Sequence, residues 1–163
     1  MMTPAHPVTL RPMRAGDIPA LSRIFYDAIQ VGAARHYDAA QRRAWCPAPP
    51  DPLQWADRLS AQSVTVAEIG ARLAGFMSLR ADGHIDLAFV APDSAGQGIG
   101  SRLLSAVERE ARHWGIPTLS VEASLGARAL FAREGWVLLR EQIVHRDGIA
   151  LTNFAIEKRL APR

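Results

Sequence analysis

Apolar residues recur at helical spacing over the first sixty or so positions, and from residue 63 onward alternating runs dominate, interrupted by one long amphipathic stretch. Val8-Thr9-Leu10-Arg11 alternates and predicts a short strand. Asp17 has the position of a helix N-cap, with Pro19 in the first turn. Ile18, Leu21, Ile24, Phe25, Ala28 and Ile29 then carry a helix to about Arg35. Asp38 predicts the cap of a short helix through Trp45, and the Pro47-Ala48-Pro49-Pro50 cluster stops it. A third helix starts at Asp51-Pro52 with Leu53, Trp55, Ala56 and Leu59.

Val64 to Ile69, Leu73 to Leu79 and His84 to Val90 follow as strands separated by tight turns at Gly70-Ala71 and Asp82-Gly83, an antiparallel meander. Beyond Gly96–Gly100, Leu103, Leu104, Val107, Ala111 and Trp114 share one helical face, ended by Gly115 and Pro117. A strand over Leu119–Ala123, a helix over Ala127–Glu134 and two strands, Val137–Val144 and Ile149–Ile156, complete the pattern. The last two turn at Arg146-Asp147-Gly148. No repeat or interdomain linker is visible, so residues 1–163 read as one domain, a length that suits a single core.

Composition narrows the function classes. The chain is 48% hydrophobic and 21% charged, enough to build a core and unlike a disordered chain. The net charge is +3, yet Lys158 is the only lysine and the arginines are scattered, with no clustered footprint for nucleic acid. Nucleic acid is therefore not expected as a partner, although a mild positive field favours anionic small molecules. Cys46 stands alone, so no intrachain disulfide can form, and it reads as a small apolar filler. His6, His36, His84, His113 and His145 have no metal-ligand spacing, so no metal is expected. Met1–Pro7 lacks an apolar stretch of signal-peptide length and no run reaches spanning length; the expectation is a cytoplasmic protein with no membrane partner.

The segment from Phe89 to Ser101 carries the chemistry. A strand ends, glycines follow at 96, 98 and 100, and a long helix begins. Amides at a helix N-terminus point outward and favour an anion, and glycines let that anion approach the backbone closely. A pyrophosphate site is the functional reading; a glycine-rich connection without a ligand is the bland one. A dinucleotide fingerprint fails because the glycines follow an antiparallel meander. A Walker loop fails because no lysine is there.

The run Val90-Ala91-Pro92, then Gly96-Gln97-Gly98-Ile99-Gly100 and Ser101-Arg102-Leu103-Leu104, resembles the acyl-CoA-binding motif of the GNAT N-acetyltransferases. Ala127-Arg128-Ala129-Leu130-Phe131-Ala132-Arg133-Glu134-Gly135-Trp136 is similar to a later motif of the same family. His36-Tyr37, Gln41, Ala44-Trp45, Ile85-Asp86 and Asn153-Phe154 look like a bacterial subgroup often called YafP-like. The resemblance covers nearly the whole chain. It implies an α/β (α+β) fold: a mostly antiparallel sheet of about seven strands, flanked by helices and splayed between the fourth and fifth strands. It also implies an N-acetyltransferase that moves acetyl from acetyl-CoA, a co-substrate, to a primary amine by direct attack in a ternary complex.

By the same resemblance, backbone groups around Phe89 and Val90 would hold the pantetheine arm and polarise the thioester. Amides of Ala95, Gly96, Gln97, Gly98, Ile99, Gly100 and Ser101 would wrap the pyrophosphate, and Ser124 would lie near the thiol. Ala95 stands where the family usually carries Gln or Arg, and Phe131 where many members place a tyrosine acid near the leaving group. These departures leave an alternative open, a catalytically weak or inactive acyl-CoA-binding module of the same fold.

Strand alternation puts His84, Asp86, Ala88 and Val90 on one face, and Ile85, Leu87 and Phe89 on the other. Asp86, His84 and Glu122 are accordingly the candidate bases for the amine proton. The bland alternatives are that Asp86 anchors a loop and that His84 starts its strand in solvent. Tyr37 and Trp45 are candidate acceptor-site residues, or else simply pack between helices. The acceptor is a small-molecule or peptide amine, and homodimer formation is left open.

Overall fold

The computed structural model of the chain describes residues 6–161. The N-terminal reading covers Met1–Pro7, of which residues 1–5 lie outside them. Seven strands are present: β1 (Val8–Pro12), β2 (Ser63–Ile69), β3 (Arg72–Leu79), β4 (His84–Val90), β5 (Thr118–Ser124), β6 (Val137–Arg146) and β7 (Ile149–Arg159). The helices are α1 (Ile18–Asp27), α2 (Ala39–Trp45), α3 (Pro52–Ser60), α4 (Ile99–His113) and α5 (Arg128–Arg133). The strands form one sheet in the order β1-β2-β3-β4-β5-β7-β6. Every pairing is antiparallel except β4 with β5, which is parallel and registers only His84 with Ser120 and Ile85 with Val121. Past Ile85 the two strands part, which is the expected splay.

Each face of the sheet carries its own core. Val66 and Phe76 join Leu21, Phe25, Trp55 and Leu59 of α1 and α3. Their neighbours Ala67 and Met77 join Leu103, Leu104, Val107 and Ala111 of α4 on the other side. The period-2 strands and period-3.6 helices read from the sequence meet in this way.

Four local expectations need correction. Asp17 stands at the start of α1 but caps none of its amides. Its carboxylate instead accepts from both Nη atoms of Arg11, at 2.8 and 3.0 Å, and from the Arg14 amide at 2.7 Å, because a fixed cation outbids a neutral N–H. The helix predicted to reach Arg35 is α-helical only to Asp27 and continues as a π-helical turn over Ala28–Gly32. There the Arg42 guanidinium binds the carbonyls of Gln30 and Tyr37, drawing the chain out of α-helical register. Trp114 lies at the C-cap of α4 and is 45% exposed, while Glu108 takes a place on the buried face.

The fourth correction falls on β4. Ser78 registers with Leu87 and Leu79 with Ile85, so Asp86 is an unpaired bulge residue. The bulge breaks the alternation. Ile85 packs with α4, whereas Leu87 and Phe89 pack with α1 and α3. The apolar residues of β4 thus serve both cores, not one.

Candidate active site

The loop between β4 and α4 is built by two residues of positive φ, Gly96 at 78° and Gly98 at 77°, and a Cβ at either would meet no atom within 4 Å. Among the described residues, no hydrogen bond engages the amides of Gly96 to Ser101; the first one bonded inward is Arg102, to the Gly98 carbonyl at 3.1 Å. Six successive amides without a partner suit a diphosphate. Gly100 has a different task, since a Cβ there would lie 3.1 Å from Leu130 of α5. Ile99 is buried in the core and offers the loop only its backbone. Between this loop and the splay, the β5-facing edge of β4 has no partner strand from Asp86 to Val90. The Ala91 amide donates to the Ala74 carbonyl of the segment before Gly75 at 2.8 Å, so by alternation the backbone groups of Phe89 face β3 and those of Val90 face the open edge, available to an extended ligand.

On the opposite face lies a cleft of about 260 Å³ lined by Phe25, Tyr37, Trp45, Arg58, His84, Asp86, Phe89, Glu122, Ser124, Arg146 and Asn153 among others. The structure thus brings all three candidate bases and both candidate acceptor residues to one place. Their states differ. Asp86 accepts from Arg58 Nε at 2.8 Å, Arg58 Nη2 at 2.9 Å and Gln62 Nε2 at 2.7 Å. Burial pushes its carboxyl up, but the hydrogen bonds from Arg58 and Gln62 and the Arg58 charge outweigh that and hold it below its ordinary value. His84 is half-buried and its Nδ1 lies 2.8 Å from Ser120 Oγ, which leaves Nε2 without a protein partner among the described residues. Glu122 is exposed to the cleft and has no ion-pair partner among them.

Tyr37 is a tie as well as a wall. Its hydroxyl donates to the Thr152 carbonyl at 2.6 Å and accepts from the Leu125 amide at 3.0 Å. Burial raises its pKa, and the Leu125 amide offsets part of the rise. Trp45 stands edge-on to it at 5.5 Å and faces Phe89 at 6.3 Å. Ser124 Oγ accepts from the Ala127 amide at 3.2 Å, which fixes the turn into α5. Phe131, expected beside a leaving thiol, is fully buried against Trp136 at 4.9 Å. Cys46 is buried and its thiol is pushed up by that burial, as suits a filler.

Arg58, Arg146 and Asn153 also line the cleft, Gln62 and Ser120 hold Asp86 and His84 in place, and no local sequence pattern marks these five. A half-buried Asp86 demands a counterion, which was the one available signal for Arg58. Among the described residues no group of His, Cys, Asp and Glu could hold a metal ion, and no helix is long and apolar enough to cross a membrane.

Known proteins share this architecture. The acetyltransferase (GNAT) domain profile matches residues 33–158. The N-acetyltransferase YafP of Escherichia coli K12, described as uncharacterized, is 33% identical over 147 residues, 90% of this chain and 93% of that protein. A GCN5-related N-acetyltransferase from Rhodopseudomonas palustris superposes with a TM-score of 0.89 at 32% identity, covering 98% of this chain and all of the other. YncA from Salmonella typhimurium, solved with its cofactor acetyl-CoA, gives 0.74 at 21% identity over 96% of each chain, a likeness of fold. The outward-facing amides, the splayed strands and the profile spanning most of the sequence agree: this chain belongs to the GNAT acetyltransferase family.

Proposed function

We propose that the chain, acting as one domain in the cytoplasm, transfers acetyl from acetyl-CoA to a primary amine by direct attack. The observation that carries this reading is the run of six unpartnered amides from Gly96 to Ser101 beside the open edge of β4. Solved relatives of the fold contain acetyl-CoA or coenzyme A, which supports the same co-substrate here. Acetyl-CoA supplies a thioester whose carbonyl carbon accepts the amine.

The loop amides hold the diphosphate, and the β4 edge at Val90 orients the arm and polarises the carbonyl as fixed donors do in an oxyanion hole. The amine nitrogen bonds to the carbonyl carbon and the C–S bond breaks. The proton lost by nitrogen goes to a carboxylate, and sulfur leaves with the bonding pair and takes up a proton from water. Glu122 is the favoured base because it faces the cleft without a counterion, whereas Asp86 is held as an anion by Arg58. His84 Nε2 is the next nearest in character. With Phe131 buried, no aromatic hydroxyl serves as acid at that position. A thiol with a pKa of about 8.5 leaves without one.

Calorimetric titration with acetyl-CoA, with NADH as control, tests the reading. Gly98→Trp should abolish binding, whereas Glu122→Gln should preserve binding and lower kcat by about a hundredfold. Binding without CoA release for any amine would leave the acyl-CoA-binding module in its place. Absence of binding would sink both.

The chain is also proposed to pair as a homodimer through β6, the sheet edge at which Leu138, Leu139 and Ile143 are exposed.

A further inference from the structure

Asn153, Arg146 and Glu122 lie on one face of the sheet, along the floor of the cleft. Asn153 registers with Ser124, Leu151 with Val144 and Ile149 with Arg146, so alternate residues of β5, β7 and β6 place Glu122, Ser124, Asn153, Leu151, Val144 and Arg146 on a common surface. The Asn153 Oδ1 atom is buried and has no hydrogen-bond partner among the described residues. A buried amide oxygen without a donor is costly, and the donor it lacks is an N–H or O–H group. Arg146 lines the same cleft and, among the described residues, pairs with no carboxylate. Arg58, the other arginine there, is already committed to Asp86.

The floor therefore carries an unmet acceptor in its middle, an unpaired anion on one side and an unpaired cation on the other. We infer that the acceptor amine bears a carboxylate close to its nitrogen: an amino acid whose amine is received by Asn153 Oδ1 and Glu122 and whose carboxylate is received by Arg146. The spacing suits a compact molecule. Arg146 registers with Ile149, four residue steps along β7 from Asn153 (~13 Å) and one strand across, and the long arginine side chain closes much of that distance. Leu151, Val144, Phe25, Trp45 and Phe89 supply the apolar part of a mostly polar lining, against which a side chain such as that of leucine or phenylalanine can rest. A guanidinium matches a carboxylate with two parallel hydrogen bonds, which an uncharged amide cannot reproduce.

This inference rests on the acetyl-transfer reading, but its test has a readout independent of turnover. The CoA-saturated protein is titrated calorimetrically with leucine, phenylalanine and their amides, and CoA release from acetyl-CoA is followed with the same four amines. The free acids should bind and react about tenfold better than the amides at subsaturating concentration. Arg146→Gln should bring the acids down to the level of the amides, and Asn153→Leu should weaken acids and amides alike. Equal affinity of acids and amides, a preference that survives Arg146→Gln, or no binding of any of the four overturns the inference. Preferential binding of the acids with no CoA release upholds the amino-acid site and removes the acetyl-transfer reading instead.

Discussion

The Asp86 carboxylate occupies the one bulged position of β4 and has both oxygens engaged by α3 and the residues after it. Its folded-state pKa lies below the ordinary carboxylate value, so the stability it contributes is present above the unfolded-state pKa and is lost as pH falls through the folded-state one. Asp86→Asn should lower the unfolding free energy at pH 7 by about 1 kcal/mol, a modest figure because Arg58 is half exposed to water. Urea titrations at pH 7 and again in strong acid should show the deficit closing as the native protein protonates. A deficit that is constant with pH would assign Asp86 a packing role and no charge. At this scale the sequence was legible in kind more than in state: it named Asp86, His84 and Glu122 together. Which of them is neutralised depends on Arg58, a residue 28 positions away that no local pattern connects to β4.

Helix α2 reaches the sheet through side chains alone. The Tyr37 hydroxyl just before it joins Thr152 and Leu125, and Gln41 Nε2 donates to the Ala150 carbonyl at 3.1 Å. Tyr37→Phe leaves a carbonyl and an amide without partners and should cost roughly 1–2 kcal/mol in denaturant unfolding. Because Thr152 adjoins Asn153, the same change should raise KM for the acceptor more than for acetyl-CoA. Equal effects on both would mean that the tie serves stability only. The elements themselves were plainly written in the chain. The capping box of Asp38 and Gln41, the Asp147-Gly148 hairpin turn with both residues at positive φ, and Leu103, Leu104, Val107 and Ala111 of the α4 stripe all behave as their residue types dictate. What escaped were features set by tertiary partners. The β4 bulge is one. Glu108 is another: it lies buried on α4 because Lys158 Nζ and Trp136 Nε1, from β7 and from the residue before β6, converge on it at 3.1 and 2.9 Å.

On the scale of the whole molecule, the strand order leaves β6 as an uncovered edge with large apolar side chains, a surface that invites a second copy. Ile143→Lys should convert a dimer to a monomer by sedimentation velocity without loss of acetyl-CoA binding. A monomeric native protein, or a dimer indifferent to the change, would reject β6 as the interface. The sheet order and the site between its halves were legible only through resemblance to a family. Periodicity predicts strands, whereas the parting of β4 from β5 is a long-range relation between two well-formed strands.

That parting has a consequence for how the protein comes apart. Only two residue pairs register across the β4–β5 junction, and what joins the halves of the sheet is the core under α4, where Met77, Leu79 and Ile85 meet Val121, Ala123 and Phe154. Amide hydrogen exchange should therefore show the rungs of this junction opening well before the strands on either side of it. A ligand seated in the splay acts as the missing rungs of the ladder. At a hundredfold excess over its Kd, acetyl-CoA should add about 2.7 kcal/mol of stability and bring the junction's protection up towards that of its neighbours.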